Sequence, residues 1–323
     1  MSHPEIIIPF ALPPAEHAKD LVKLLTSFCA SDGLAILLAR AQSRQISKFD
    51  DFEPQLPHEN WLSKKHNFNA LLQLKDRLSL QLTDGYWFLA NPVNLHIASN
   101  HLVLTDHRQL TLADADSRLL FEKACAIGEE LGKQIVYGDA ANWFLRADDW
   151  SALRTSTLDA ACGRNIDIWS PKGKQELAWR KLQNEIQMEW FIHPIQEQRQ
   201  LLGQKVVNGL WLWSGTAFNS ATRSPLTLPP NPTCDDFLAT PSVTLIDQLS
   251  VTALAGDWGT WAQSVKELDE SWFRPLVAAL KSNRLQQLNL ILTNTTALQN
   301  IQISSGSLRK FWRSPSFHYL SQG

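Results

Sequence analysis

The chain has 323 residues, with 30 Lys and Arg against 32 Asp and Glu and a net charge of −2. This length allows about two domains, and the near-neutral charge without a basic run argues against binding to a nucleic-acid backbone. The four cysteines lie far apart, which favours neither a disulfide framework nor a cysteine zinc site. The sequence shows neither a basic leader nor an apolar run of about 20 residues, so we expect a cytoplasmic protein that does not bind or span a membrane.

The apolar pattern predicts strands and helices that alternate towards both ends of the chain. At the start it predicts a strand over 6–10, helices over 16–29 and 34–40, and a polar loop over 43–65. In the last third it predicts strands over 243–246 and 250–254, a helical stripe over 261–272 and a buried strand over 288–293. The alternation is typical of an α/β sheet.

The middle of the chain has a different, more β-rich pattern. The predicted elements are strands over 85–97 and 101–106 with a hairpin turn at 98–100, a helix over 112–131, strands over 134–137 and 143–145, a helix over 174–191 and a strand over 206–215. We therefore expect an inserted α+β segment. The chain has 13 tryptophans, an unusually high number. We expect most of them to lie in the core and at domain interfaces, and a minority to line a ligand pocket.

The segment from His193 to Gly215 is the richest in polar groups that could converge. A histidine follows a helix, Arg199 comes six residues later, and Asn208 precedes a strand that ends in Trp-Leu-Trp-Ser-Gly. Such groups can gather on an anion at the carboxyl end of a strand. The alternative is that His193 ends a helix, Arg199 forms a surface ion pair and the tryptophans lie in the core.

This segment resembles a motif of the archaeal-type cofactor-independent phosphoglycerate mutases and of a group of bacterial proteins similar to them. The positions that match are His193, Pro194, Arg199, Gly203, Asn208, Trp211, Leu212, Trp213 and Gly215. Gln196 and Ser214 stand where the family has Asn and Gly. The resemblance extends over much of 85–294, with Asn91 and Asn94 as further departures, and it implies a reduced alkaline-phosphatase-like α/β core with an inserted α+β domain.

The family's chemistry needs two close divalent metals, an Asp and His ligand set and a Ser or Thr nucleophile. Here the residues after the first strand are Phe-Ala-Leu-Pro-Pro (10–14), where the resemblance implies a metal-binding Asp-Gly. Asn294 and Thr295 stand where it implies Asp-His. The resemblance thus implies a catalytically degenerate relative, with no metal or other cofactor.

We predict a core built from 1–70 and 214–323 and an insert over 71–213, which in the resembled mutases helps to hold the substrate. The predicted ligand-binding residues are His193, Arg199, Asn208 and Trp213, with Asp257, Asn184 and Glu185 as further candidates. We expect these residues to line a crevice that binds an anion or a phosphorylated metabolite in a sensing or regulatory role, with a protein as a second kind of partner.

Two alternatives remain open at this stage. One is an active phosphomutase or phosphatase with a rearranged manganese or magnesium site that uses Asp257, although Asp257 also fits a helix cap. The other is a structural or protein-interaction module without a ligand.

Overall fold

The computed structural model describes residues 4–29, 33–98 and 100–322, without the side chains of Phe28 and Cys29. Position 99, in the predicted hairpin turn, lies outside the described residues. Within them the strands are, in chain order, β1 Glu5–Ile8, β2 Ser43–Lys48, β3 Gly85–Val93, β4 Leu95–Ala98, β5 His101–Leu104, β6 Gln134–Tyr137, β7 Trp143–Arg146, β8 Gly209–Phe218, β9 Val243–Leu245, β10 Gln287–Thr293 and β11 Ala297–Ser304.

The α-helices over the same part of the chain are α1 Ala18–Cys29, α2 Gly33–Ala39, α3 Pro57–His66, α4 Ala70–Arg77, α5 Asp114–Glu130, α6 Leu158–Ala161, α7 Ile166–Trp169, α8 Glu176–Phe191, α9 Pro194–Leu201, α10 Cys234–Ala239, α11 Ser250–Leu254, α12 Trp258–Leu268 and α13 Arg274–Lys281. A π-helical stretch over Asp269–Phe273 joins the last two. None of the described helices is both long and apolar enough to cross a bilayer.

The chain forms two compact units. The first contains Met1–Phe52, Leu56–Leu62 and Leu228–Gly323, and the second contains Glu53–Gln55 and Ser63–Thr227. The predicted segment boundaries, after 70 and after 213, therefore differ from those in the structure. The reason is local: Asn69 caps α4 and donates a hydrogen bond to Thr216, while β8 continues past 213 to pair with the start of β3.

The first unit is built on a five-stranded mixed sheet in the order β2, β11, β10, β1, β9. β1 runs parallel to both β10 and β9, so that Ile7 lies opposite Ile291 and Leu245. Ile6, Ile7 and Ile8 have no exposed surface, as expected of a parallel strand covered on both faces. The mixed sheet and its helices confirm the predicted α/β class.

Two local predictions for this unit are wrong. The stretch 250–254, predicted as a strand, forms α11, because the turn in which Ser250 donates to Asp247 starts a helix and because Val251 remains exposed. The stretch 43–65, predicted as a loop, contains β2 and most of α3. β2 is an edge strand whose side chains are mainly exposed, so it is held by backbone pairing with β11 and carries no apolar signal.

The second unit is built on an antiparallel sheet in the order β6, β7, β3, β8. Alternate residues of β3 enter two different cores, because side chains alternate across a strand. Phe88 and Ala90 pack with α5 and α8, whereas Trp87 and Leu89 pack with α4. Tryptophans fill the first core, where Trp143 and Trp190 meet edge to face at 5.8 Å.

Candidate functional site

The carboxyl end of β1 is closed by apolar side chains and backbone hydrogen bonds. Phe10, Ala11 and Leu12 are buried, and Phe10 adopts a left-handed backbone conformation with φ of 56°. The Leu12 N–H donates to the Thr293 carbonyl at 3.0 Å, and the Trp261 indole N–H donates to the Phe10 carbonyl at 2.9 Å. Neither carboxylates nor imidazoles occupy 10–12, so these residues do not fit the paired metals that the resembled family uses.

The carboxyl end of β10 carries an asparagine that closes a turn. The Asn294 amide oxygen accepts from the backbone N–H groups of Thr296 and Ala297 at 2.9 and 2.7 Å. Its amide nitrogen donates to the Pro13 carbonyl at 3.3 Å. Asn294 therefore supports the loop between β10 and β11 with both of its polar atoms, at a position where the resemblance implies a metal-binding carboxylate.

In the second unit, Arg199 is buried to 1 % exposure and donates to the protein itself. Its guanidinium lies 2.6 Å from the Thr111 carbonyl, 2.9 Å from the Lys205 carbonyl and 3.4 Å from a carboxylate oxygen of Asp116. Burial lowers the pKa of Arg199, and the Asp116 charge opposes that effect. The side chain therefore joins three chain segments.

The neighbouring residues of the motif are also used in local structure. His193 caps α9 by accepting from the Ile195 N–H, and Asn208 exchanges two hydrogen bonds with the backbone of Leu95 at 2.7 and 2.8 Å. Gln196, where the family has Asn, brackets the backbone of Val207 in the same way at 2.6 and 3.0 Å. These amides fix the segment that leads into β8.

Of the predicted ligand-binding residues, Trp213 lines a cavity. It lies on β8, and its indole N–H donates to the Asn91 side-chain oxygen at 2.6 Å. Beside it is a cavity of about 200 Å³. The cavity is lined by Asn91, Pro92, His107, Leu110, Leu112, Ala141, Asn142, Leu158 and Trp213. A second cavity of about 180 Å³ shares Trp213 and Asn142 and includes Arg77. We call the first of these the Trp213 cavity.

A chain of amides holds one wall of the Trp213 cavity. The Asn91 nitrogen donates to the Ala141 carbonyl at 2.7 Å and to the Asn142 side-chain oxygen at 2.9 Å. Asn142 in turn donates to Asp139 at 2.7 Å, and Arg77 lies 3.9 Å from the same carboxylate. This wall is therefore polar, and its side chains are held in place by hydrogen bonds within the protein.

His107 is the titratable side chain among the residues that line the Trp213 cavity. Its Nδ1 lies 3.7 Å from carboxylate oxygens of both Asp106 and Asp159. Arg108 binds Asp159 through two hydrogen bonds of 2.8 and 2.7 Å and Asp106 through one of 3.2 Å. His107 therefore lies beside a network in which Arg108 pairs with two carboxylates.

The predicted ligand-binding residues therefore have different surroundings. Trp213 borders the cavity, while His193, Arg199 and Asn208 are not among the residues that line it. Asp257 caps α12 in the first unit, and hydrogen bonds from the Thr260 hydroxyl and backbone lower its pKa. The remaining candidates, Asn184 and Glu185, lie on α8. Ligand binding by these residues remains a prediction.

Sequence reasoning did not assemble His107, Asn142 and Asn91 around Trp213. The Asp106-His107 pair and the Asn91-Pro92 pair are visible in the sequence, but their spacing indicates no common site. The register of β3 against β8 and the turn between β6 and β7 bring Asn91, Trp213 and Asn142 together, and His107 joins them from the segment that follows β5.

No protein-family model and no curated protein matches the chain significantly. Among solved structures, the PH0037 protein from Pyrococcus horikoshii matches with a TM-score of 0.52, 9 % identity and coverage of 99 % of this chain and 91 % of that chain. A cofactor-independent phosphoglycerate mutase from Thermoplasma acidophilum DSM 1728 aligns with a TM-score of 0.40 and 11 % identity over 99 % of this chain and 94 % of that chain. The chain shares its fold with the PH0037 protein.

Proposed function

We propose that this protein is a catalytically degenerate relative of the cofactor-independent phosphoglycerate mutases that binds a small phosphorylated metabolite and has a sensing or regulatory role. The observation that carries the proposal is the Trp213 cavity, since the tryptophan of the family-like motif forms part of its wall. A cavity of this size is below the range of about 300–1,000 Å³ that is usual for drug-sized ligands, which favours a metabolite over a dinucleotide.

The filled strand ends of the first unit support binding over the family's reaction. That reaction needs metal ligands and a nucleophile at the carboxyl ends of the strands. Here the corresponding positions hold Phe10, Ala11, Leu12 and Asn294, whose side chains pack or hydrogen-bond within the protein. At the ends of both β1 and β10, the residues therefore serve packing and hydrogen bonding within the protein.

The charges near the cavity support an anionic ligand. His107 lines the Trp213 cavity, and Arg77 lines the adjoining one. Carboxylates lie near both basic side chains: Asp106 and Asp159 beside His107, and Asp139 beside Arg77. A ligand that carries one phosphate and a hydroxylated or carboxylated carbon chain could use the cations through the phosphate and Asn142 through its other end.

The test is calorimetric titration of the metal-free protein with 3-phosphoglycerate, 2-phosphoglycerate and phosphoenolpyruvate, with glycerate and inorganic phosphate as partial ligands. We expect binding of at least one phosphorylated compound without added metal. At 100 times its Kd it should stabilise the fold by about 2.7 kcal/mol. The substitution His107→Gln should weaken binding, whereas His101→Gln on β5, which is not among the residues lining the cavity, should leave it unchanged.

Two results would count against the proposal. Turnover of a phosphorylated substrate with manganese or magnesium would show an active enzyme with a rearranged site. If none of these compounds binds, the segment from His193 to Gly215 serves packing alone, in a structural or protein-interaction module.

A further inference from the structure

The long helix α8 has two faces of opposite environment. Its inner face is buried in the second unit and consists of Trp179, Leu182, Ile186 and Trp190. Its outer face carries Leu177, Met188 and Phe191, which are 81 %, 71 % and 82 % exposed. At about 100° per residue, these three side chains project within one sector of about 60° around the helix axis, and this sector points away from the buried face. The helix therefore carries large apolar side chains on both sides.

The chain beyond this face adds more exposed apolar surface. Ile192, at the end of α8, is 73 % exposed, and Leu201 and Leu202, at the end of α9, are 81 % and 73 % exposed. Single exposed apolar residues are common, but a helix face of large apolar side chains marks an interaction surface. We define the α8 face as Leu177, Lys181, Asn184, Met188, Phe191 and Ile192.

We propose that the α8 face is the contact of a two-fold homodimer, in which the helices of two copies pack antiparallel. This proposal is independent of the proposed function. A standard interface buries roughly 800 Å² on each partner. The four exposed apolar side chains of the α8 face, at roughly 100–150 Å² each, supply about half to three quarters of that area, and their polar neighbours and the end of α9 can supply the rest.

The order of residues on the face is self-complementary. Leu177 and Phe191 each lie seven residues from Asn184, so an antiparallel crossing near Asn184 sets the leucine of one copy against the phenylalanine of the other. Lys181 and Glu185 flank the same point with opposite charges, and they form only a loose pair within one helix, at 3.9 Å. Across the two-fold axis each would meet the opposite charge of the second copy.

Asn184 would lie closest to the axis. Two asparagine side chains related by a two-fold axis can each donate to the other, so the polar residue at the centre of the face would be satisfied in the dimer. The arrangement gives Asn184 and Glu185, which sequence reasoning singled out as site candidates, a role in assembly. A heterologous protein partner would not require this symmetric order.

The first experiment is sedimentation equilibrium of the full chain, with light scattering after size exclusion. We expect a mass twice the 36.5 kDa of the chain. The substitution Met188→Glu should yield the monomer with an unchanged circular dichroism spectrum and unfolding midpoint. The control Ile168→Glu, at a 51 % exposed apolar residue of α7 outside the face, should remain dimeric. A monomeric wild type, or a dimer that Met188→Glu does not disturb, would overturn the proposal.

The second experiment tests the geometry by disulfide cross-linking in a background that carries Cys29→Ser and Cys125→Ser, which retains the buried Cys162 and Cys234. Under mild oxidation Asn184→Cys should form a disulfide-linked dimer, because its position repeats close to itself across the axis. Leu177→Cys should not, since its copies would be separated by about 20 Å along the antiparallel helices. Cross-linking of Leu177→Cys in preference to Asn184→Cys would refute the antiparallel register.

Discussion

Replacing Arg199 by alanine distinguishes a ligand-binding arginine from a structural one. In the structure its guanidinium is buried and connects Thr111, Asp116 and Lys205. The substitution removes all three donors at once and leaves a space next to α9. We therefore expect Arg199→Ala to destabilise the second unit whether or not a ligand is present.

The magnitude follows from the groups that lose their partner. Each carbonyl left without a donor, at Thr111 and Lys205, costs about 1–3 kcal/mol. Asp116 has a side chain that is 27 % exposed, so water can replace its lost partner and its contribution is small. The total is about 2–6 kcal/mol. For a unit of this size that corresponds to a fall in Tm of roughly 10 °C.

The assay is urea unfolding followed by circular dichroism, with Lys205→Ala as the matched control. The Lys205 side chain is exposed and only its backbone carbonyl accepts from Arg199, so the control should unfold within about 0.5 kcal/mol of the wild type. Arg199→Lys should remain intermediate, because an ammonium cannot reproduce the forked geometry. If Arg199→Ala keeps its stability and loses binding of a phosphorylated ligand, the structural reasoning is refuted.

Three further predictions concern both units. Asn91→Asp should lower stability by about 2–3 kcal/mol near neutral pH, because a carboxylate oxygen would replace the nitrogen that donates to Ala141. Urea midpoints equal to those of the wild type would contradict this. Trp261→Phe should cost about 1–3 kcal/mol by removing the donor to Phe10, and an unchanged Tm would refute it. Burial, aided by nearby carboxylates, raises the pKa of Cys162 to about 12. The stability that Cys162 contributes is therefore complete below the unfolded pKa of about 8.5, and it falls as the pH rises towards 12. Above about pH 9, the unfolding free energy of Cys162→Ala should consequently fall less steeply with pH than that of the wild type. Parallel pH profiles of the two proteins would contradict this pKa assignment.

The sequence by itself determined the elements whose signal is local. The apolar run at β10 and the helical spacing of Trp179, Leu182, Ile186 and Trp190 on α8 are enough to predict a buried strand and an amphipathic helix. The α/β class follows from the order of such elements. The secondary-structure prediction was wrong at two elements. The side chains of β2 are mainly exposed and give no apolar pattern, and the β-branched residues of α11 are typical of a strand although they form a helix.

Only the tertiary structure decided what the polar residues do. Arg199 was visible as part of a motif, but its partners Thr111 and Asp116 lie more than 80 residues away, and they consume the donors that an anion would need. His107 and Trp213 carry no common spacing signal, because they come from segments far apart in the sequence that meet at one cavity only in the folded chain. Periodicity reports which face of an element is buried, whereas the choice between a buried hydrogen bond and a free ligand-binding group depends on neighbours that the chain supplies from elsewhere.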